Sequence, residues 1–223
     1  MASDLEPRAR ENGAKTRTKP RPRGRPRRES PAPSGQRNQT IPNMPTELEA
    51  KFAVDAHEPV RERLEALGAA FIGRVLETNT IHDHVDGRLR NGGCGLRVRG
   101  IEVLEGETLP ATLTFKGPIQ PSSFKKREEI EMPLADAESM RRMLEAIGFV
   151  EVLRFQKHRE SWQLDNCRVE LDDLPRVGLF LEIEGPDEHE VQAAQITLGL
   201  GDAKHIRRGY VGLLRDSGLT TND

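Results

Sequence analysis

Glu47-Leu48-Glu49-Ala50-Lys51-Phe52 sets two acids and a lysine on alternate positions, with Leu48, Ala50 and Phe52 between them. In an extended strand, residues two apart share a face, so the charged trio points one way and the apolar trio the other. The alternation returns in Arg97 and Arg99, in Thr112, Thr114 and Lys116, and in Arg127, Glu129 and Glu131. It returns again in Lys157 and Arg159 and in Glu182 and Glu184. Any one such pair is what a solvated strand face carries. Their recurrence on strand after strand is different, because like charges on one face repel and a shared counter-ion relieves them.

Working outward, Glu58-Pro59 opens a helix with Val60, Leu64 and Leu67 on one face and Gly68 as its stop. Strands are expected at Ala69–Leu76, at Glu77–His84, across Leu96–Arg99, at Ala111–Lys116 with Gly117-Pro118 ending it, and at Lys125–Met132. Asn91-Gly92-Gly93 reads as a turn. Asp136 caps a second helix with Met140, Leu144 and Ile147 on one face and Gly148 as its stop. Strands follow at Glu151–Ser161, Cys167–Leu171 and Leu179–Glu184, then a helix at Glu188–Leu198 and an amphipathic piece at His205–Leu214. Leu64-Glu65-Ala66-Leu67-Gly68 and Leu144-Glu145-Ala146-Ile147-Gly148 each follow an acidic strand, so strand, helix, strand is used twice, as in two halves about a pseudo-twofold axis. Turn-linked strands with few helices imply an α+β fold with a closed or nearly closed sheet. For its charged faces to line the inside, the helices must cover the apolar faces from outside and the interior must hold water and a charged ligand.

The 223 residues suffice for one domain with a substantial core. Their net charge of -2 conceals two regions. Residues 1–45 hold 11 Lys+Arg against 4 Asp+Glu, or +7, leaving 23 against 32, or -9, for the remainder. Residues 1–44 are Pro- and Arg-rich without apolar periodicity and read as a disordered tail. Within it Arg23-Gly24-Arg25-Pro26 resembles an AT-hook, an arm for the minor groove of A·T-rich DNA, although a solvated basic tail is the plainer explanation of a single copy. Met44 is an alternative start, which would exclude the tail. The folded domain is expected over 45–216, with 217–223 as a short C-terminal tail. Its acidity disfavours nonspecific nucleic-acid binding. Cys94 and Cys167 lack metal-ligand spacing and a disulfide framework. With no membrane-length apolar run and no signal-like segment, the expectation is a cytoplasmic monomer or homodimer with no membrane association.

Lys51, Arg97, Arg99, Lys116, Lys157 and Arg159, with Arg127 beside them, make a cradle for several phosphates. Glu47, Glu49, Glu182 and Glu184 offer hard oxygen ligands suited to Mg²⁺ or Mn²⁺. Together they describe metal-assisted phosphoryl transfer, with side chains in place of a glycine-rich phosphate loop. His82 and His84 share a face and could hold a metal, a surface turn being the plainer explanation.

In this order the motifs resemble the CYTH family, also called triphosphate tunnel metalloenzymes. Glu47-Leu48-Glu49-Ala50-Lys51 matches its ExExK signature, followed by Leu96-Arg97-Val98-Arg99, Leu113-Thr114-Phe115-Lys116, Arg127-Glu128-Glu129-Ile130-Glu131, Gln156-Lys157-His158-Arg159, Asp172, Glu182-Ile183-Glu184 and Arg208-Gly209-Tyr210. The resemblance implies an eight-stranded antiparallel barrel, a tunnel that binds a linear triphosphate and divalent metal. It implies Glu47, Glu49, Glu182 and Glu184 as metal ligands, with Asp172 on a second ion and Glu129 and Glu131 in second-metal or orienting roles. Lys51, Arg97, Arg99, Lys116, Arg127, Lys157 and Arg159 would hold phosphates, and Glu49, Lys116 and Glu184 would act at the reacting phosphorus. Arg176 and Gly209 depart from the family's usual glycine and serine, and Ile81-His82 from its aromatic pair. Glu77-Thr78-Asn79 resembles the branch named for class IV adenylate cyclase, which converts ATP to cyclic AMP and pyrophosphate. The alternatives are a triphosphatase acting on tripolyphosphate, thiamine triphosphate or a nucleotide, and a polyphosphate-binding module without turnover.

Overall fold

The computed structural model describes residues 46–218; the basic tail, with its Arg23-Gly24-Arg25-Pro26 stretch, and residues 219–223 lie outside the described residues. Eight strands, β1 (Thr46–Val54), β2 (Ala70–Asp83), β3 (Gly95–Gly106), β4 (Ala111–Gln120), β5 (Lys125–Leu134), β6 (Val150–Leu164), β7 (Cys167–Leu174) and β8 (Gly178–Glu184), form one closed antiparallel ring. Their order around it is β1-β5-β4-β3-β2-β6-β7-β8. Replacing each of β1 to β4 by the strand four later, and the reverse, returns the same circle read backwards. The doubled strand-helix-strand unit is therefore a true pseudo-twofold of the topology.

Matching helix ends support the repeat. Helix α1 (Glu58–Ala66) and helix α3 (Ala137–Ala146) each bury one leucine, Leu64 and Leu144. Each ends on a left-handed glycine, Gly68 at φ 73° and Gly148 at φ 96°. The next N–H then reaches back to that leucine's carbonyl, Ala69 to Leu64 at 3.0 Å and Phe149 to Leu144 at 2.9 Å. The N-termini differ. Asp136 caps α3 through the N–H groups of Glu138 and Ser139, whereas His57 gives α1 no side-chain cap and Pro59 occupies its first turn.

The core lies outside the ring. Leu48, Ala50, Phe52, Val169, Leu171, Leu181 and Ile183 pack beneath Leu64 of α1 and beneath Val191 and Ala194 of α4 (Glu188–Thr197). Helix α3 packs on β3, β4 and β6. The cover is incomplete, since Ile130 and Met132 of β5 are 44% and 50% exposed. A second cluster joins Leu153, Leu174 and Phe180, near one terminus of their strands, to Leu214 of helix α5 (Tyr210–Asp216), with Ile81, Phe155 and Val211 around them. That helix stops one end of the ring.

Several boundaries differ from expectation. β2 is one continuous strand, not two pieces, with register shifts at Phe71/Gly73 and Ile81/His82 on its β6 side. β4 runs through Gly117-Pro118; the β3 ladder ends at Lys116, so Pro118 needs no N–H on that side, and a bulge between Lys116 and Ile119 absorbs it. The Asn91 turn is a four-residue helix, α2 (Arg88–Asn91), held by Asp83 accepting from the N–H groups of Leu89 and Arg90. The last helix begins only at Tyr210.

Because Leu64 is fully buried, Leu64→Ala is expected to cost about 2–5 kcal/mol in denaturant unfolding. A loss below about 1 kcal/mol would contradict the outside core.

Candidate functional site

The register sets the inward face strand by strand. β1 supplies Glu47, Glu49 and Lys51; β8 supplies Glu182 and Glu184; β7 supplies Arg168, Glu170 and Asp172. β6 supplies Lys157 and Arg159, β2 Glu77 and β3 Arg97 and Arg99. β4 supplies Thr112, Thr114 and Lys116, and β5 Lys125, Arg127, Glu129 and Glu131. Along these positions cations and carboxylates balance one for one. All but Thr114 and Asp172 line a single cavity of about 990 Å³.

Lys51, 1% exposed, places its Nζ 3.0 Å from Glu182 Oε1, 3.8 Å from Glu49 Oε1 and 3.7 Å above the Tyr210 ring. Burial depresses its pKa, and Glu182 with Glu49 more than reverses that, so the ammonium persists. Asp172 is fully buried, accepting from Lys157 Nζ at 2.9 Å, from Arg159 Nε at 2.7 Å and from the Tyr210 hydroxyl at 2.6 Å. Arg159 also reaches Glu182, whose carboxyl lies well below its ordinary range: burial opposes ionisation, and Lys51 and Arg159 prevail. Lys157, unlike Lys51, is pushed down, by burial and by Arg159.

Across the cavity, Lys116 Nζ lies 2.7 Å from Glu47 Oε1 and 2.7 Å from Glu129 Oε2, and Lys125 Nζ lies 2.5 Å from Glu49 Oε1. Glu131 accepts from Thr114 Oγ1 at 2.7 Å and from Thr112 Oγ1 at 3.3 Å, 3.6 Å from Arg97. The Nε atoms of Arg97 and Arg99 are buried with no acceptor. Burial and neighbouring Arg99 bring Arg97 down to about 10. The Glu184 side chain makes no hydrogen bond or ion pair among the described residues. Surrounding protein, then the charges of Glu47 and Glu129, push its carboxyl up to about 7, with Lys116 opposing; the residue is exposed at the mouth, where water damps each effect.

Thus the expected cations and carboxylates converge, with three refinements. Arg127 donates to the carbonyls of Gly117 and Gly93, at 2.9 and 3.2 Å, which ties the α2 loop to the bulge after Lys116. Asp172 lies behind Lys157 and Arg159. Glu131 holds Thr112 and Thr114, an orienting position. Glu77, Lys125, Arg168 and Glu170 were missed as lining residues, although three of them continue the parity of a recognised neighbour: Lys125 precedes Arg127 by two, and Arg168 and Glu170 precede Asp172 by four and two. His82 and His84 form no pair. His82 is buried near Glu151 and near Glu145 of α3, and His84 stacks on Phe149 at 4.3 Å.

Among the described residues no three His, Cys, Asp or Glu side chains stand as a preformed metal centre. The donors nonetheless fit a hard divalent ion: Glu47, Glu49 and Glu184 offer only carboxylate oxygens, and the Glu184 side chain is in no ion pair among the described residues.

With Glu77 and Glu182 held below the ordinary 4.5, their pairing contributes fully above that value and is lost as pH falls through the lower folded values. The raised Glu184 carboxyl works in the other direction at higher pH, so the test lies in acid: melting temperature should fall steadily below about pH 4.5. A melting temperature that rises as pH is lowered below that value would contradict the ion-pair assignment.

The family model described as "CYTH domain" matches residues 45–210. A Methanocaldococcus jannaschii protein, named as a candidate adenylate cyclase, is 33% identical over 62% of this chain and 75% of its own. A Vibrio parahaemolyticus structure, also named as a candidate adenylate cyclase, superposes at TM-score 0.66 with 20% identity, covering 76% of this chain and 97% of the other. A Hippeastrum structure, described as an adenylyl cyclase candidate with a dominant triphosphatase activity, gives 0.57 with 18% identity over 78% and 96%. The two structures share the fold. No helix among the described residues is long and apolar enough to cross a membrane.

Proposed function

The chain belongs to the CYTH family, and from that membership we propose that its barrel is a divalent-metal-dependent enzyme hydrolysing a linear triphosphate at the terminal phosphoanhydride. The observation that carries the reading is the meeting, in one cavity, of a carboxylate side and a cation side whose Arg97 and Arg99 Nε donors are buried without acceptors. Buried donors without partners cost free energy that phosphate oxygens recover.

Arg97, Arg99, Lys157 and Arg159 grip phosphates, with Lys51 and Lys116 at the boundary between the two sides. Glu47, Glu49 and Glu184 are the ligands for Mg²⁺ or Mn²⁺, with Glu182 and Glu129 next to them and Asp172 orienting two cations. The bound ion supplies charge neutralisation and an activated water. Hydrolysis asks only for cradle, ion and water, which this lining accommodates. Cyclisation of ATP is the second reading, favoured by the name given to the Methanocaldococcus relative; it asks further that a ribose hydroxyl be held in line with the α-phosphorus.

Product analysis with ATP and inorganic tripolyphosphate side by side, in Mg²⁺ or Mn²⁺, decides. Orthophosphate without cyclic AMP is expected. Cyclic AMP with pyrophosphate would establish the second reading, and tight binding with neither product a binding module. Because Glu184 makes no ion pair, Glu184→Gln should leave the fold intact and lower metal-dependent turnover by about 10²-fold or more. Turnover within about twofold of the unchanged protein would remove Glu184 from the metal site.

A further inference from the structure

Glu77 lies at the middle of β2, 1% exposed, outside both the metal set and the phosphate set. Its carboxylate stands 3.3 Å from Arg99 Nη1, 3.5 Å from Lys157 Nζ and 4.0 Å from Arg159 Nε. Asn79 Nδ2 donates to it at 3.3 Å. The cations come from the strands on both sides, Arg99 from β3, Lys157 and Arg159 from β6, so one carboxylate bridges three strands. Burial works against its charge, and Lys157, Arg99, Arg159 and Arg97 keep it ionised.

The partners of these cations are unequal. Lys157 and Arg159 are also held from β7 by Asp172. Arg99 has no ion pair other than the one with Glu77 among the described residues. That contact engages Nη1 and leaves the buried Nε without an acceptor. Three like charges on neighbouring strands repel, and long side chains without an anchor would spread over many rotamers.

We infer that Glu77 is a positioning residue for triphosphate binding, a buried carboxylate that ties Arg99, Lys157 and Arg159 into one block already aimed when the ligand arrives. The inference rests on the triphosphate reading above and gives that site its preorganising element. Simple Coulomb reasoning predicts the opposite sign, since removing a negative charge beside an anion site should tighten anion binding. Preorganisation predicts weaker binding, because the ligand must then order three side chains itself.

The test compares the full chain with Glu77→Gln and Glu77→Asp, using inorganic tripolyphosphate and Mg²⁺. Calorimetric affinity, KM, kcat and melting temperature are measured together. Glu77→Gln is expected to weaken binding about tenfold, the loss of roughly one charge-assisted hydrogen bond, and to raise KM more than it lowers kcat. Glu77→Asp keeps the charge, withdraws it by one methylene, and should lose several-fold less. A folded Glu77→Gln protein that binds tripolyphosphate as tightly as the unchanged chain, or more tightly, overturns the inference. If Glu77→Gln does not fold, Glu77→Asp decides: weaker binding at an unchanged melting temperature supports positioning, and unchanged affinity overturns it. An unchanged chain that neither binds nor processes tripolyphosphate overturns the functional reading and this inference with it. That result differs from a competent chain with indifferent variants.

Discussion

Glu49 stands opposite Lys125, Lys51 opposite Glu182, Lys116 opposite Glu129, Lys157 opposite Glu77 and Arg159 opposite Asp172. In these five registers an inward charge meets the opposite charge on the neighbouring strand, while Glu49 stands opposite Glu184 and Glu170 opposite Glu182. This constraint does what an apolar interior does in an ordinary small barrel. A one-residue slip of β1, β7 or β8 would turn its charged face outward into the apolar layer beneath α1 and α4 and bring those apolar side chains into the tunnel. The ion pairs and the outside core therefore specify the same register, and neither can change alone.

Such pairing is a weak source of net stability, since desolvating two buried ions can cancel their attraction. Stability comes mainly from the apolar outer face, where Leu64, Val169, Leu181 and Ile183 are fully buried. The interior network has another consequence. Asp172 bonds at once to Lys157, Arg159 and the Tyr210 hydroxyl, and Lys51 sits over the Tyr210 ring. The C-terminal helix is thereby fastened to the cation side, and its Leu214 is packed against Leu153 and Phe180. Closing one end of the ring and orienting Lys157 and Arg159 are one set of contacts.

Much of this was legible in the sequence, for one reason: strand periodicity is two, so parity alone sorts inward from outward residues. Glu47, Glu49 and Lys51 announced the face, and Leu64 and Leu144 with their glycine stops announced the repeat. Parity also explains what was missed. Lys125 and Glu170 follow from the parity of Arg127 and Asp172, two residues on, whereas Glu77 has only Val75 and Asn79 two positions away, with no charge to draw the eye. Local signals failed where long-range pairing decides: Gly117-Pro118 reads as a terminator, yet β5 holds the strand past it, and Arg127 reads as a phosphate ligand, yet the carbonyls of Gly93 and Gly117 claim it. No periodicity reports which atom a guanidinium will find.

The balance of inward charges bears on how a polyanion can enter at all. Were the tunnel strongly basic, a triphosphate could bind by Coulomb attraction alone, and carboxylates such as Glu47 and Glu49 would only oppose it. Here cations and carboxylates cancel, so a bare polyanion gains little on average from the lining. It gains where cations gather, at Arg97, Arg99, Lys157 and Arg159, and it loses near Glu47, Glu129 and Glu184. A divalent ion held by Glu47, Glu49 and Glu184 would offset that loss by supplying positive charge beside the carboxylates. Lys116 and Lys125, now bound to Glu47 and Glu49, would be released by the same event to meet phosphate. On the proposed function, a neutral tunnel of this kind would favour the metal–triphosphate pair over either component.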